Sequence, residues 1–338
     1  MKKKMLAALA ALVAAAGAFA QDFPAYFKMS GTVITGCDKD EIPDDLVIPD
    51  GVTEIGKEAF AECTYLESVV IPDSVTKIGE CAFKSSTSLK SVTIPDGVTE
   101  IGRNAFNNCA SLESIRIPEG ITEIRDGTFA KCTSLVSVTI PGNVKAIIGA
   151  FEGCTSLKSV VIAEGVERIS SEAFADCTSL ASVTIPNSVT VIGSNAFKGC
   201  KSLEGIAIPD SVKEIGGAAF RGSGLKTVTI PKSVKKIGED GTAPFYECTS
   251  LESVTISRGV TEIGTEAFAY CKSLKSVSIP RSVTKIDRLA FLYCDNLTVQ
   301  FDGTKTQWEA IEKGNYGDPV GTFAVKCTDG EFGKRGWL

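Results

Sequence analysis

The chain reads as a repeat solenoid, a β-rich coil of about eleven 23-residue turns. Three observations predict it. A phenylalanine recurs at Phe60, Phe83, Phe106, Phe129, Phe151, Phe174, Phe197, Phe220, Phe245, Phe268 and Phe291, at intervals of 23 residues except for one of 22 and one of 25. Each interval repeats one string, typified by Leu89–Ser111, LKSVTIPDGVTEIGRNAFNNCAS. Three residues after each phenylalanine stands a small residue, cysteine in nine coils and Ser86 or Ser223 in the other two. A fixed period of this length marks stacked units, none of which can bury its apolar face alone.

Within the unit, Ser91-Val92-Thr93-Ile94 alternates polar and apolar, the pattern of a half-buried strand with Val92 and Ile94 inward. Leu89 turns inward ahead of it. Pro95 ends the strand, because proline cannot donate to a ladder, and Asp96-Gly97 is a turn signal. Val98 and Ile101 predict a second short extended piece. Gly102 is expected to supply a bend at positive φ. Ala105-Phe106 fills the next corner, in a short turn or helical loop, and Cys109 closes the coil. Repetition turns these positions into columns, such as Val69, Val92, Ile115, Val138 and onward, with Ile71, Ile94, Ile117, Ile140 two residues later. Parallel strands lie about 4.8 Å apart, so eleven coils span roughly 50 Å.

The ends depart from the repeat. Residues 1–20 carry a basic Lys2-Lys3-Lys4, an apolar Met5–Ala16 and an Ala18-Phe19-Ala20 site, which together predict a secretory signal peptide. Residues 21–45 are expected to cap the coil at its N-terminal end, with strands at Lys28–Thr35 and Leu46–Ile48. Residues 46–297 form the array. Residues 298–338 are expected to cap the other end. There Val299–Phe301 continues the strands, and Thr306–Lys313 forms a short helix with Thr306 as its cap and Gly314 at its end. Thr322–Val325 is a final strand, Cys327–Gly330 a turn, and Trp308 covers the exposed core. No other stretch reaches the roughly 20 apolar residues of a membrane span. The mature chain is therefore expected to be exported, without membrane insertion, and monomeric.

Composition excludes several function classes. Loss of the first three lysines takes the formal charge from −6 to −9. No basic stripe offsets it, which argues against nucleic acid as a partner. The chain has no histidine, so the commonest general base and metal ligand is missing. The twelve cysteines of an exported chain ordinarily suggest disulfides. Nine of these, however, occupy one repeat slot that also accepts serine, which reads as small and buried. Their parallel side-chain vectors favour free stacked thiols, and a linear column does not converge on a metal. Cys37, Cys81 and Cys327 lie off the column. No nucleophile–base pair, phosphate-binding glycine loop or metal spacing is present, so neither catalysis nor a cofactor is expected.

The run LxSVxIPxxVxxIGxxAFxxC closely resembles the BspA-type leucine-rich repeats of bacterial surface and secreted proteins, eleven times over residues 46–297. The ending FDGTKTQWEAIEKG…VKCTDGEF resembles the segment that often closes such arrays. The resemblance implies a right-handed solenoid with its parallel sheet on the concave face. It also implies export, and in several members adhesion to extracellular matrix or to other cells. This chain lacks a recognisable wall-sorting signal.

Candidate binding residues are outward positions that break the repeat. On the strand face, where threonine predominates, these are Arg116, Val161 and Ala207. A second group, Tyr246, Tyr270 and Tyr293, lies beside the inserted loop Glu239–Pro244, with Tyr270 and Tyr293 in the same slot of adjacent coils. Exposed tyrosine is typical of interface hot spots. The charged columns, such as Glu67, Lys90, Glu113 and Glu54, Lys77, Glu100, read as solvated cross-strand pairs rather than a catalytic cluster. The leading expectation is a protein-binding module, a cell-surface adhesin for host or matrix proteins. The alternative is a structural spacer of the cell envelope that self-associates without a specific ligand.

Overall fold

Each coil contributes a longer strand and a two-residue strand, and like strands stack in parallel in register. In the computed structural model, which describes residues 23–238, 243–314 and 320–337, Ser68–Val70 pairs with Ser91–Thr93, and Lys77–Ile78 with Glu100–Ile101. The chain is a parallel β-solenoid of about twelve turns. The signal-peptide expectation for residues 1–20 lies outside the described residues, as do Glu239–Thr242 of the inserted loop.

Between the two strand faces runs one continuous core. The repeat leucines from Leu66 to Leu297 and all eleven repeat phenylalanines are buried. The phenylalanine rings stack one above another from Phe60 to Phe291, with centroids 5.1–5.6 Å apart and planes within 14°. Such separations fall in the favourable range for offset aromatic pairs. The register changes do not disturb this stack. The one-residue deletion before Phe151 and the insertion before Phe245 are both absorbed upstream of the ring.

The corner that carries the phenylalanine is a series of tight turns, not a helix. Residues two before and two after the ring take left-handed backbone in nearly every coil, for example Glu58 (φ 58°) and Glu62 (59°), or Asn104 (55°) and Asn108 (59°). The N–H of each of these residues, and that of the phenylalanine between them, donates to the next coil: Glu58 to Glu80, Phe60 to Ala82, Glu62 to Lys84. This corrects the role assigned to Gly102. It does not supply positive φ. A Cβ there would sit 2.5 Å from the Glu80 nitrogen, so Gly102 lets the adjacent backbones approach, while Arg125, Ser170 and Asp287 hold the same slot in other coils.

The strand face is not uniform. Its sheet runs Asp45–Val47, Ser68–Val70, Ser91–Thr93, stops, resumes as Ser137–Ile140, Ser159–Ile162, Ser182–Thr184, stops again, and continues from Thr227–Ile230. The short-strand face is interrupted alongside, between Glu100–Ile101 and Glu123–Ile124 and between Glu214–Ile215 and Lys236–Ile237. The two coils left out carry Ile115 and Ile206, where every other coil from Val69 to Val299 carries valine. An extra methylene in a close-packed column displaces backbone. Gly205, in a slot otherwise held by serine or threonine, lowers strand propensity further in the second coil. Several positions expected to face fully inward, Val92, Val183, Ile206 and Ile208, are consequently only partly buried beside these openings.

The ends differ from the sequence expectation in detail. Lys28–Thr35 is not one strand. It is a hairpin of Phe27–Ser30 and Val33–Cys37, turned at Gly31 (φ 60°), whose second strand pairs with Glu54–Ile55. Phe27 meets Phe60 edge-on at 6.0 Å. At the other end the helix is Lys305–Glu309, and its cap is Thr304 rather than Thr306. The Thr304 hydroxyl accepts from the Gln307 N–H while the Gln307 side chain accepts from the Thr304 N–H, a capping box. The helix therefore ends before Gly314, and Glu312–Lys313 forms a strand beside Lys285–Ile286. The buried Trp308 meets Phe301 at 5.3 Å and Phe323 at 6.4 Å. Gly321–Cys327 is a strand, and Gly330–Trp337, not anticipated, pairs antiparallel with it.

Candidate protein-binding surfaces

Arg116, Val161 and Ala207 are all exposed on the strand face, but the structure does not gather them into one patch. One coil, that of Thr139 or Thr184, lies between each and the next. Arg116 reaches back to Asp96 in the preceding coil and forms an ion pair. Arg116 and Ala207 both lie in the coils that leave the sheet, so the two outward anomalies coincide with the two openings. Val161 stays paired, opposite Thr139 and Thr184. It belongs with Val47, Val70 and Val136 to a set of exposed valines on this face, which the sequence reading picked up only at Val161. The signal was available, since valine replaces threonine or a charged residue at each of these outward positions.

The tyrosines do come together. Tyr246 and Tyr270 lie with ring centroids 5.1 Å apart, and Tyr270 and Tyr293 4.8 Å apart, both tilted. Tyr246 stands one residue after its phenylalanine and the other two stand two residues after theirs, yet the three rings form one column along the corner. Tyr293 is 51% exposed. Arg221 extends the column, its guanidinium 4.9 Å from the Tyr246 centroid and its Nη2 3.2 Å from Glu247. Asn195, Gly217, Ala218, Arg221, Tyr246 and Glu266 line an adjoining groove of about 460 Å³. Gly217 and Ala218 contribute no more than one methyl group to its lining, a feature that attention to large residues alone does not reveal.

Tyr270 and Tyr293 sit at φ 62° and 57°. In the other coils this left-handed slot holds Glu, Ser, Asn, Lys, Gly or Asp. Left-handed backbone costs an L-residue roughly 1–2 kcal/mol, least for Gly and Asn, and is unusual for a bulky side chain.

The charged columns form inter-coil ion pairs, among them Lys90–Glu67 (2.7 Å), Lys77–Glu54 (3.2 Å), Arg125–Glu100 (2.7 Å) and Lys275–Glu252 (3.0 Å). Most members are well exposed, where such pairs contribute little. The exception is Glu262, which holds Lys236 at 2.9 Å and Lys285 at 3.2 Å. Burial opposes charge on Glu262, but the hydrogen bonds from the two lysines outweigh it and hold the carboxyl below its usual range.

The repeat cysteines are unpaired and buried. They are also more than packing residues, as each thiol from Cys109 onward donates to the carbonyl of the phenylalanine one coil back, for example Cys109 to Phe83 (3.1 Å) and Cys177 to Phe151 (3.1 Å). Ser86 does the same to Phe60 at 2.8 Å. Burial pushes the thiols of Cys109, Cys154, Cys200 and Cys294 up to about 12. Among the described residues, no three acidic, cysteine or histidine side chains cluster as a metal site, and no helix is long and apolar enough to cross a membrane.

The chain is similar to solved bacterial repeat proteins. A leucine-rich repeat protein from Bacteroides ovatus shares 28% identity over 87% of this chain and 88% of its own, with a TM-score of 0.57. The T. pallidum leucine-rich repeat protein shares 34% over 54% of this chain and 91% of its own, with a TM-score of 0.50. A leucine-rich cell surface protein from Faecalibacterium prausnitzii shares 31% over 87% and 99%, with a TM-score of 0.43. No curated protein matches the chain. The pattern of the BspA type leucine rich repeat region matches in six copies over residues 53–181, 127–241 and 167–298. With its 23-residue coils, stacked phenylalanines and this match across most of its length, the chain belongs to the BspA-type leucine-rich repeat family.

Proposed function

We propose that the protein is an exported, non-enzymatic binding module that acts at a cell surface as an adhesin for a host or matrix protein. Membership of a leucine-rich repeat family supports a role in protein interaction. The observation that carries the finer reading is the tyrosine column. Two adjacent coils accept an unfavourable left-handed tyrosine where smaller or more flexible residues serve elsewhere, and three rings thereby make one continuous, partly exposed strip beside an open groove. Strain retained at outward positions points to use rather than packing, and clustered tyrosine with a neighbouring arginine has the composition of an interface hot spot. Arg116, Val161 and Ala207 form a secondary, discontinuous set on the strand face.

The test separates binding from stability. Residues 21–338 are assayed by surface interferometry against immobilised matrix proteins and cell-surface extracts, with solution mass from light scattering. Tyr270→Gly relieves the left-handed strain, so its thermal midpoint should equal or exceed that of the unaltered protein. The loss of a hot spot should weaken binding about 30-fold or more, from a cost of about 2 kcal/mol. Arg116→Thr should weaken it less. Saturable binding unaffected by Tyr270→Gly and Tyr293→Gly overturns the proposed face. No binding, with concentration-dependent self-assembly, selects the envelope spacer instead.

A further inference from the structure

Cys63 opens the thiol column, and it is the one repeat cysteine with no repeat phenylalanine in a coil behind it. The later members are each held by a carbonyl. Cys63 instead meets Cys37, the last residue of the hairpin strand Val33–Cys37, with the two sulfurs 3.4 Å apart. Both residues are buried. The pair lies at the seam where the N-terminal hairpin covers the first coil, beside the Phe27–Phe60 contact.

The pair is chemically asymmetric. The hydrogen bond from Cys63 lowers the Cys37 thiol, against the effect of its burial, and Lys39 and Lys28 add to the lowering. The same hydrogen bond and its own burial push Cys63 up. Cys37 is thus the better nucleophile, because the thiolate is the reactive form. Cys109, Cys154, Cys200 and Cys294 differ on both counts: their thiols point at carbonyls, and burial raises them.

We infer that Cys37 and Cys63 are a covalent modification site, a dithiol that closes to a disulfide by exchange with an external disulfide and so staples the N-terminal hairpin to the first coil. The Cys37 thiolate attacks one sulfur of the external disulfide, breaking its S–S bond, releasing one thiol and leaving a mixed disulfide. Cys63 then gives its proton to solvent and attacks the Cys37 sulfur, releasing the second external thiol. The protein loses two electrons and two protons, and the external disulfide is reduced to two thiols. The bond closes a loop over residues 37–63, the segment after the hairpin and most of the first coil, so it constrains the unfolded chain and raises thermal stability.

The experiment uses the full chain with oxidised glutathione as the external disulfide, followed by alkylation in denaturant and peptide mass mapping. Alkylatable thiols should fall from twelve to ten. One linked peptide pair should contain Cys37 and Cys63, a reductant should restore both thiols, and the oxidised form should melt several degrees higher. Cys63→Ser introduces the residue already present in this column at Ser86 and Ser223, so it should fold; its Cys37 should be trapped as the mixed disulfide with glutathione, with no internal link and the other ten thiols alkylatable. Full alkylation of Cys37 and Cys63 after oxidation overturns the inference. So does a Cys37 link to any other cysteine or to a second chain, or an unchanged set of links in Cys63→Ser.

Discussion

At the scale of the residue, the repeat cysteine shows how one side chain can satisfy two demands. Its slot is fully enclosed, so it must be small and largely apolar. It also faces the carbonyl of the phenylalanine one coil back, which already accepts the Cys or Ser N–H of its own coil. A thiol meets both demands, and a hydroxyl meets the second more strongly, at 2.8 Å in Ser86 against 3.1 Å in Cys109. Cys154→Ser should therefore change unfolding stability by less than about 1 kcal/mol in denaturant titration, a net hydrogen bond being worth about that much. Cys154→Val removes the donor and adds volume to a column without space, and should cost about 1–3 kcal/mol. Equal losses for the two variants would show that the donor role carries no weight.

The structural element is the coil, and its centre is the phenylalanine. In Phe174 the ring is sandwiched between Phe151 and Phe197 at 5.5 and 5.6 Å, while the N–H on its own backbone donates to Ala196 and its carbonyl accepts from Cys177 and Cys200. The ring therefore holds both neighbouring coils, and the backbone holds the following one. Phe174→Ala empties a site that both neighbours hold open, and should cost about 3–5 kcal/mol in denaturant melting. A loss below about 1 kcal/mol would refute the stacked corner. The C-terminal helix is an element of a different kind. Five residues are too few to stand on propensity, so Thr304–Gln307 capping and the burial of Trp308 define it. This explains why Thr306, which has the right chemistry, was the wrong cap: the burial of Trp308 sets where the turn must begin.

At the scale of the molecule, two interruptions divide the strand faces into three blocks joined through an unbroken phenylalanine corner. Across both interruptions the ring stack holds at 5.5 Å, Phe106 to Phe129 and Phe197 to Phe220. The backbone N–H groups of Gly205–Ile208 make no backbone hydrogen bond among the described residues, and the coil of Ile115 keeps one isolated bridge, Ser114 to Ser137. Local opening free energies follow such differences. In native-state hydrogen exchange these amides should exchange fastest among the strand-face positions of residues 66–302, and those of Phe106, Phe129, Phe197 and Phe220 among the slowest. Uniform protection along the strand face would show that the array is not divided there.

The period, the inward columns, the coil boundaries and the small buried slot after each phenylalanine were all legible in the sequence, because stacking makes every coil solve the same packing problem and the solution is written eleven times. The candidate residues were legible for the same reason, as departures from a repeat. Three things were settled only by the tertiary structure. The sequence reading gave Gly102 a positive φ that belongs to the positions flanking the phenylalanine, because backbone approach between coils cannot be seen from within one coil. The openings fall at Ile115 and Ile206, which carry one methylene more than the valine of the other coils in a column whose tolerance depends on its neighbours. Whether outward residues touch depends on which corner they occupy: Tyr246, Tyr270 and Tyr293 converge although their slots differ, while Arg116, Val161 and Ala207 share a slot and remain apart. Repetition specifies the coil, and contact between coils specifies the surface.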